Sequence, residues 1–236
     1  MVNFSKILKS NRPSAYKMTD VWTVDTIIFK HPFTCLIAGP SFAGKSVLLE
    51  KILLNKETII DKEFDRIVVC YKVYQPSYDV LKLLNSTVKF IEGLPNVSEF
   101  DKNENSLLIL DDLMSECSDS QEISNFFRVY SHHLKISIFI LNQNIFPKGK
   151  CQRDISLNVS YMIIFNNPRD RQQIKTLGQQ MFPKKSTLFF AIFEDAISRV
   201  DGHGYLFIDF KQKTEERNRL QTGIIPGQER IIYKIK

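Results

Sequence analysis

The sequence has few cysteines, no long apolar run and no low-complexity segment, and each shortage excludes a class of protein. Its four cysteines lie far apart, without the C-x-x-C or Cys/His spacing that indicates a metal site or a redox pair. No apolar run reaches the ~18 residues of a membrane-spanning helix, so we expect no membrane partner. Lys6, Lys9 and Arg12 interrupt the N-terminus before an apolar segment can form, so we expect no secretory signal. These features predict an intracellular protein with reduced thiols, not a secreted one.

The positive charge of the chain is concentrated in its second half. Residues 1–120 contain 14 Lys/Arg against 16 Asp/Glu, whereas residues 121–236 contain 18 against 10. A hydrophobic fraction of 43% and a charged fraction of 25% are ordinary for a globular protein. A basic half favours an anionic partner such as nucleic acid, and a solvated basic face is the alternative.

The most informative motif reads G-x-x-x-x-G-K-S, the pattern of a phosphate-binding loop. An apolar run, residues 33–38, precedes it like a buried strand, and residues 45–55 follow it like a helix. In this pattern the loop N–H groups and the helix N-terminus bind phosphates, and the lysine reaches the β- and γ-phosphates of ATP. The predicted nucleotide-binding residues are Gly39, Pro40, Ser41, Phe42, Ala43, Gly44, Lys45, Ser46 and Val47.

Two carboxylates end a second apolar run, as in the Walker B strand of ATPases. Leu107 to Leu110 leads directly into Asp111 and Asp112. The first carboxylate of such a pair holds Mg²⁺ together with the loop hydroxyl, here Ser46. We predict that Asp112 polarises the attacking water, although its side chain is shorter than the usual Glu. Taken alone, such a pair is also a common helix N-cap.

Three more side chains are candidates for catalysis. The strand-like run 136–141 is followed by Gln143, a candidate sensor of the γ-phosphate, with Asn144 as the reserve; an amide-rich turn is the alternative. Oligomeric ATPases often use an arginine from a neighbouring subunit to neutralise transition-state charge. Arg128 and Arg153 are the candidates for that role, although a surface arginine is the commoner explanation for either one.

Strand-like and helix-like runs alternate along the chain, which predicts an α/β fold with a mainly parallel sheet flanked by helices. The expected helices span 45–55, 77–84, 120–133 and 169–181. A pair of strands around Gly202-His203-Gly204 predicts an antiparallel hairpin at one edge. The expected strands span 26–29, 33–38, 67–71, 88–91, 107–110, 136–141, 161–165, 188–193 and 205–208. We divide the chain into an N-terminal extension with a first strand (1–30), an ATPase domain (31–210) and a charged C-terminal extension (211–236).

Further short motifs extend this pattern over residues 30 to 227. They are His31-Pro32-Phe33, Asp111-Asp112-Leu113-Met114, Tyr130-Ser131-His132-His133, Gln143-Asn144, Gly149-Lys150 with Arg153, Ile155-Ser156-Leu157-Asn158, Asn167-Pro168-Arg169-Asp170, Gln180-Met181-Phe182-Pro183, Ile208-Asp209-Phe210-Lys211-Gln212 and Arg219-Leu220-Gln221-Thr222-Gly223-Ile224. Together with the phosphate loop, they resemble the DNA-packaging ATPases of the FtsK–HerA superfamily. The match is closest to the Polinton/Maverick, adintovirus and virophage branch, akin to the poxvirus packaging ATPase.

The resemblance implies an additional-strand, RecA/FtsK–HerA-like P-loop NTPase that drives double-stranded DNA into a capsid. Its cofactors would be ATP and Mg²⁺, and its partners a homo-oligomeric ring of five or six subunits and a capsid or portal protein. Such a motor works inside the cell, in a viral factory, the nucleus or the cytoplasm, or travels with the virion. Phe42 departs from the family, which more often has a small residue there. Since a sequence-blind motor grips the phosphate backbone, we expect DNA contacts from the lysines Lys148, Lys150, Lys184 and Lys185.

Three other functions fit parts of the pattern. One is a DNA translocase of the same superfamily that is not linked to a capsid. Another is a small-molecule P-loop kinase, which would close an arginine-bearing lid over its acceptor; the Asp-Asp pair and the Gln-tipped strand favour hydrolysis instead. The third is a non-catalytic, nucleotide-gated interaction protein, against which the intact Lys45, Ser46 and Asp111 argue.

Overall fold

A computed structural model of the protein describes residues 27–76, 78–84, 88–146, 149–199 and 203–235. The strands of this part of the chain are β1 (Thr34–Ala38), β2 (Arg66–Tyr71), β3 (Val88–Glu92), β4 (Ser106–Asp111), β5 (Ile136–Asn142), β6 (Tyr161–Phe165), β7 (Tyr205–Asp209), β8 (Leu220–Thr222) and β9 (Ile231–Tyr233). The α-helices are α1 (Lys45–Leu54), α2 (Lys56–Ile59), α3 (Tyr78–Leu84), α4 (Met114–Asp119), α5 (Gln121–Asn125), α6 (Ser131–His133), α7 (Gln152–Leu157), α8 (Gln172–Met181) and α9 (Ser186–Ile197). A π-helical segment, Phe126–Tyr130, joins α5 to α6.

The strands form one sheet in the order β3-β2-β4-β5-β1-β6-β7-β8-β9. Strands β1 to β6 pair in parallel, and β7 to β9 add an antiparallel edge. Strand β5 lies between β4 and β1, as in the additional-strand arrangement that we expected. Its register pairs Asn142 with Ala38 and Leu141 with Asp111. The ends of β1, β4 and β5 therefore meet at one edge of the sheet, which positions the candidate site.

Both faces of the central strands are buried, because helices cover each of them. Leu36 and Ala38 of β1 belong to one apolar cluster, and Cys35 and Ile37 belong to the other. Helices α1 to α3 contribute side chains to the cluster of Cys35 and Ile37, whereas α4, α5 and α7 to α9 contribute to the opposite one. Two-sided burial explains why the strands read as continuous apolar runs. No helix among the described residues is long and apolar enough to cross a membrane.

The expected strand at 188–193 is wrong, because these residues lie within helix α9. Phe189, Ile192, Phe193 and Ala196 are its buried side chains. Their spacing of three and four residues is that of one helical face, which the run of aromatic residues hides in the sequence.

The hairpin expected around Gly202-His203-Gly204 is wrong in its position, because its first strand is helix α9, whereas the expected antiparallel edge is confirmed by β7, β8 and β9. Strand β7 pairs antiparallel with β6 instead and continues the sheet to β8 and β9. Residues 200–202 lie outside the described part of the chain.

The two ends of the chain differ from the expected pattern in smaller ways. Of the strand expected at 26–29, the described residues form only a single parallel bridge between Phe29 and Ile60. Strands β8 and β9, beyond residue 210, belong to the same sheet as the rest. The division into 1–30, 31–210 and 211–236 stays a prediction.

Candidate functional site

The loop from Gly39 to Ser46 joins β1 to α1 at the edge where the parallel strands end. Gly44 has a left-handed backbone, with φ of 103°, directly before α1 begins at Lys45. Only glycine adopts this φ without strain, so the loop can turn straight into the helix. Gly39 meets a different need, since a Cβ atom there would lie 2.7 Å from the Cβ atom of Phe165 on β6. The two glycines therefore keep the loop close to the sheet.

Lys45 folds back over this loop. Its Nζ donates hydrogen bonds to the carbonyl oxygens of Gly39 at 2.7 Å and Pro40 at 2.9 Å. Burial lowers the pKa of Lys45, and the charges of Asp111 and Asp112 oppose that change. The two carboxylates thus favour the ammonium form, which is the form that attracts a phosphate.

Phe42 stands out at the tip of the loop. Its φ is 64°, in the left-handed region, and its side chain is 99% exposed. A residue with a Cβ atom pays roughly 1–2 kcal/mol for this backbone conformation. Phe42 thus holds a strained conformation without compensating burial, and glycine is the residue that would adopt this conformation without strain.

Asp111 is the last residue of β4 and is 6% exposed. Its Oδ2 accepts a hydrogen bond of 2.5 Å from the hydroxyl of Tyr78, at the start of α3. Burial raises the pKa of Asp111; the Tyr78 hydrogen bond opposes the increase, Asp112 adds to it and Lys45 opposes it. Tyr78, Asp112 and Lys45 therefore all affect the pKa of Asp111. Carboxylates with pKa values perturbed in this way are common at functional sites.

Asp112 is exposed and has a left-handed backbone, with φ of 54°. Aspartate tolerates this conformation better than most residues. Its charge influences the pKa values of both Lys45 and Asp111, so the three groups share one site. The structure thus brings together the three charged residues on which the predicted nucleotide chemistry depends.

The end of β5 supplies an amide, and Asn142, the last residue of this strand, contacts the loop from Gly39 to Ser46. Its main-chain oxygen accepts a hydrogen bond of 3.0 Å from the N–H of Gly39. Its buried side chain accepts one of 2.8 Å from the N–H of Gln143 and donates to the carbonyl oxygen of Asn144. Gln143 itself is exposed beside the loop. Asn142 therefore fixes the turn that presents Gln143, whose role as a sensor stays a prediction.

Neither candidate arginine is settled by the structure. Arg128 lies in the π-helical segment, where its Nη1 is 3.3 Å from Oδ2 of Asp154 on α7. Both side chains are about half exposed, so solvent screens this ion pair. Arg153 lies in α7, but its side chain is outside the described part of the structure. A role in trans stays a prediction for both.

Three of the four lysines expected to bind DNA lie in described segments of the chain. Lys150 is exposed in the segment between β5 and α7. Lys184 and Lys185 are exposed in the turn between α8 and α9, one helix length (about 15 Å) from the start of α8. Lys148 lies outside the described residues. DNA binding by any of them stays a prediction.

Besides Asn142, sequence reasoning missed two residues that contact the site. One is Tyr78 on Asp111. The other is His203, whose Nδ1 is 3.1 Å from the carbonyl oxygen of Ala43 in the loop. A carbonyl can only accept, so this contact requires the proton on Nδ1. The two residues come from distant parts of the chain without a motif of their own, and only the topology brings them to the loop.

The oxygen donors at this edge fit a magnesium ion that arrives with a nucleotide. Mg²⁺ prefers oxygen ligands and typically takes one or two from the protein, with phosphates and water completing the shell. The Asp111 carboxylate and the Ser46 hydroxyl, on the first turn of α1, are donors of this kind. Within the described residues, no group of three or more His, Cys, Asp or Glu side chains could hold a metal.

The fold is similar to that of a viral NTPase of known structure. The genome packaging NTPase B204 from Sulfolobus turreted icosahedral virus 2, in complex with sulfate, matches with a TM-score of 0.53 and 10% identity, over 87% of this chain and 97% of that chain. Its complex with ATP-gammaS matches with a TM-score of 0.50 and 12% identity, over 86% of this chain and 98% of that chain.

A secretion ATPase shares the same fold. The cytoplasmic domain of the Type VII secretion ATPase EccC from Thermomonospora curvata matches with a TM-score of 0.50 and 11% identity, over 86% of this chain and 25% of that chain. No protein-family model and no curated protein matches the sequence. The likeness confirms the expected α/β fold of P-loop NTPases, with a mostly parallel sheet flanked by helices.

Proposed function

We propose that this protein is a Mg²⁺-dependent ATPase that drives double-stranded DNA into a viral or transposon capsid. The observation that carries the ATPase part is the strand register, which brings the end of β4, with Asp111 and Asp112, to the edge where the loop with Lys45 leaves β1. Strand β5 makes this possible, because it spaces β4 from β1 and places its own polar end, Asn142, against the loop.

Each residue of the site has a separate role in ATP hydrolysis, which follows from its position. The loop N–H groups and the ammonium of Lys45 bind the phosphates of ATP. Ser46 and Asp111 would hold the magnesium ion, which when bound neutralises charge on the β- and γ-phosphates. Asp112, exposed beside both charged groups, orients and deprotonates the attacking water. Gln143, held at the end of β5 by Asn142, contacts the γ-phosphate or this water.

The DNA-packaging part of the proposal is supported by two independent likenesses. The motifs from His31 to Ile224 resemble packaging ATPases of the FtsK–HerA superfamily. The fold is similar to that of B204, a genome packaging NTPase. Packaging motors of this kind act as rings, so we include a homo-oligomeric ring and a capsid or portal protein as partners, and the virus-producing cell as the location.

Nucleotide binding tests the site itself. Titration of Lys45→Ala with a fluorescent ATP analogue should show an affinity about 10–100-fold lower than that of the wild type, because charge-assisted hydrogen bonds to phosphate are lost. Lys51→Ala is the matched control, since Lys51 is exposed in the last turn of the same helix. Equal affinity in all three proteins would refute the assignment of the loop.

Encapsidated DNA tests the packaging role. Particles produced with a Lys45→Ala copy of the protein should form in normal number but contain no nuclease-resistant DNA. Particles filled normally would contradict packaging. If particles made with the Lys45→Ala copy were filled normally while the purified wild-type protein hydrolysed ATP in response to DNA, the results would point to a translocase that works outside the capsid.

A further inference from the structure

The metal-site carboxylate has a tyrosine partner that comes from a different part of the chain. The Tyr78 hydroxyl donates a hydrogen bond of 2.5 Å to Oδ2 of Asp111. Tyr78 lies at the start of α3, after the segment that leaves β2, whereas Asp111 ends β4. Strands β2 and β4 are neighbours in the sheet, with Tyr71 paired to Asp111, so the topology itself brings the hydroxyl to the carboxylate.

The ring of Tyr78 is held in place on several sides. Its side chain is 4% exposed, and its ring lies 5.6 Å from that of Tyr71, 5.4 Å from that of Tyr74 and 6.2 Å from that of Phe90. Such aromatic contacts fix the orientation of a ring as well as burying it. The hydroxyl therefore meets the carboxylate from a fixed direction.

The Tyr78 hydroxyl makes the two oxygens of the Asp111 carboxylate different from each other. Tyr78 binds Oδ2, which leaves Oδ1 free of this hydrogen bond. An unrestrained carboxylate can rotate and must lose that freedom when it binds a cation, whereas a hydrogen-bonded one has already lost it. Carboxylates that bind metals are commonly oriented by such partners, and loss of the partner lowers metal affinity by about 10–100-fold.

We propose that Tyr78 is a positioning residue that orients the Asp111 carboxylate for the magnesium ion of the bound nucleotide. This inference rests on the proposed function, because it assigns a task to Tyr78 only if Asp111 binds metal. Tyr78 touches neither nucleotide nor metal in this account, so it changes the metal requirement without changing metal-free nucleotide affinity.

A metal titration separates this role from a purely structural one. The full-length protein is loaded with a fluorescent ADP analogue, and MgCl₂ is added while the nucleotide signal is recorded. In Tyr78→Phe, which keeps the ring, the half-saturating Mg²⁺ concentration should rise about 10–100-fold. Affinity for the analogue in EDTA should stay within about twofold of the wild type, since the phosphate-binding loop is untouched.

Tyr74→Phe is the matched control, because it removes a hydroxyl from the same aromatic cluster. That hydroxyl donates to Asp79, an exposed residue, at 2.8 Å. Its Mg²⁺ titration should match that of the wild type. If Tyr78→Phe does not fold, Tyr78→Met serves instead, because its flexible apolar side chain can fill the space and offers no donor to the carboxylate. It should show the same increase in Mg²⁺ requirement.

The outcomes separate this inference from the proposed function. A wild type with a Mg²⁺-dependent signal and a Tyr78 variant with the same Mg²⁺ requirement would overturn only the positioning role. Equal weakening with and without metal would also overturn it, because a structural defect acts on both. A wild type that binds nucleotide with no Mg²⁺ dependence would overturn the proposed function, and this inference with it.

Discussion

The strained backbone at Phe42 predicts how two substitutions change the free energy of unfolding, one by relaxing the backbone and the other by removing the side chain. Its left-handed φ of 64° costs roughly 1–2 kcal/mol for a residue with a Cβ atom. Phe42→Gly removes that cost but adds about 0.5–1 kcal/mol of entropy lost on folding. We therefore expect a net gain of about 0.5–1 kcal/mol. Phe42→Ala keeps the Cβ atom and removes a side chain that is 99% exposed, so it should be nearly neutral.

Thermal unfolding measures this difference directly. For a chain of this size, 1 kcal/mol corresponds to about 2–4 °C, so Phe42→Gly should melt roughly 1–4 °C above Phe42→Ala. Lys135→Gly is the matched control, because Lys135 is exposed, has φ of 49° and lies away from the loop in the turn before β5. Both glycine variants should gain similarly. A glycine variant no more stable than Phe42→Ala, or a loss above about 1 kcal/mol in Phe42→Ala, would refute the reasoning.

Three further predictions concern the base, a tight backbone contact and the thiols. Asp112→Asn should keep ATP binding and lose about 10²–10⁴-fold in turnover, since asparagine tolerates φ of 54° but cannot accept a proton; normal turnover would place the base elsewhere. Gly204→Ala should lower the free energy of unfolding in urea by more than about 2 kcal/mol, because a Cβ atom would overlap the main chain of Ile197; an unchanged midpoint would contradict this packing. Burial raises the pKa values of Cys70 and Cys117 to about 12. A thiol reagent at pH 8 should therefore modify these two residues only at the rate at which the protein unfolds. Rapid modification of both thiols in the native protein would contradict their burial.

The fold could be predicted from the sequence wherever the spacing of apolar residues indicated one kind of secondary structure. The central parallel strands β1, β4, β5 and β6 are buried on both faces, so their apolar runs identify them. The same criterion gives the wrong element for residues 188–193, because a short apolar run does not distinguish a buried strand from a buried helix. Helix α9 carries Phe189, Ile192 and Phe193 on one face, and only the longer window to Ala196 reveals it.

The candidate site could be predicted where chemistry is carried by adjacent residues. The loop and the Asp111-Asp112 pair are local patterns, and the structure brings their charged members together. Tyr78 and His203 could not be found in this way, because their contacts join segments 33 and 160 residues apart. Asn142 was missed for a smaller reason, since the strand continues one residue past the last apolar side chain.

The most direct test of the central claim is the rate of ATP hydrolysis with and without long double-stranded DNA, with Lys45→Ala as the blank. The account predicts turnover that rises with DNA, rises more for long fragments than for short ones, and falls between about 50 mM and 200 mM salt as phosphate contacts weaken. Lys45→Ala should show none of this turnover. Hydrolysis that is indifferent to DNA at every length and salt concentration would contradict a DNA motor, and hydrolysis that survives in Lys45→Ala would contradict the site.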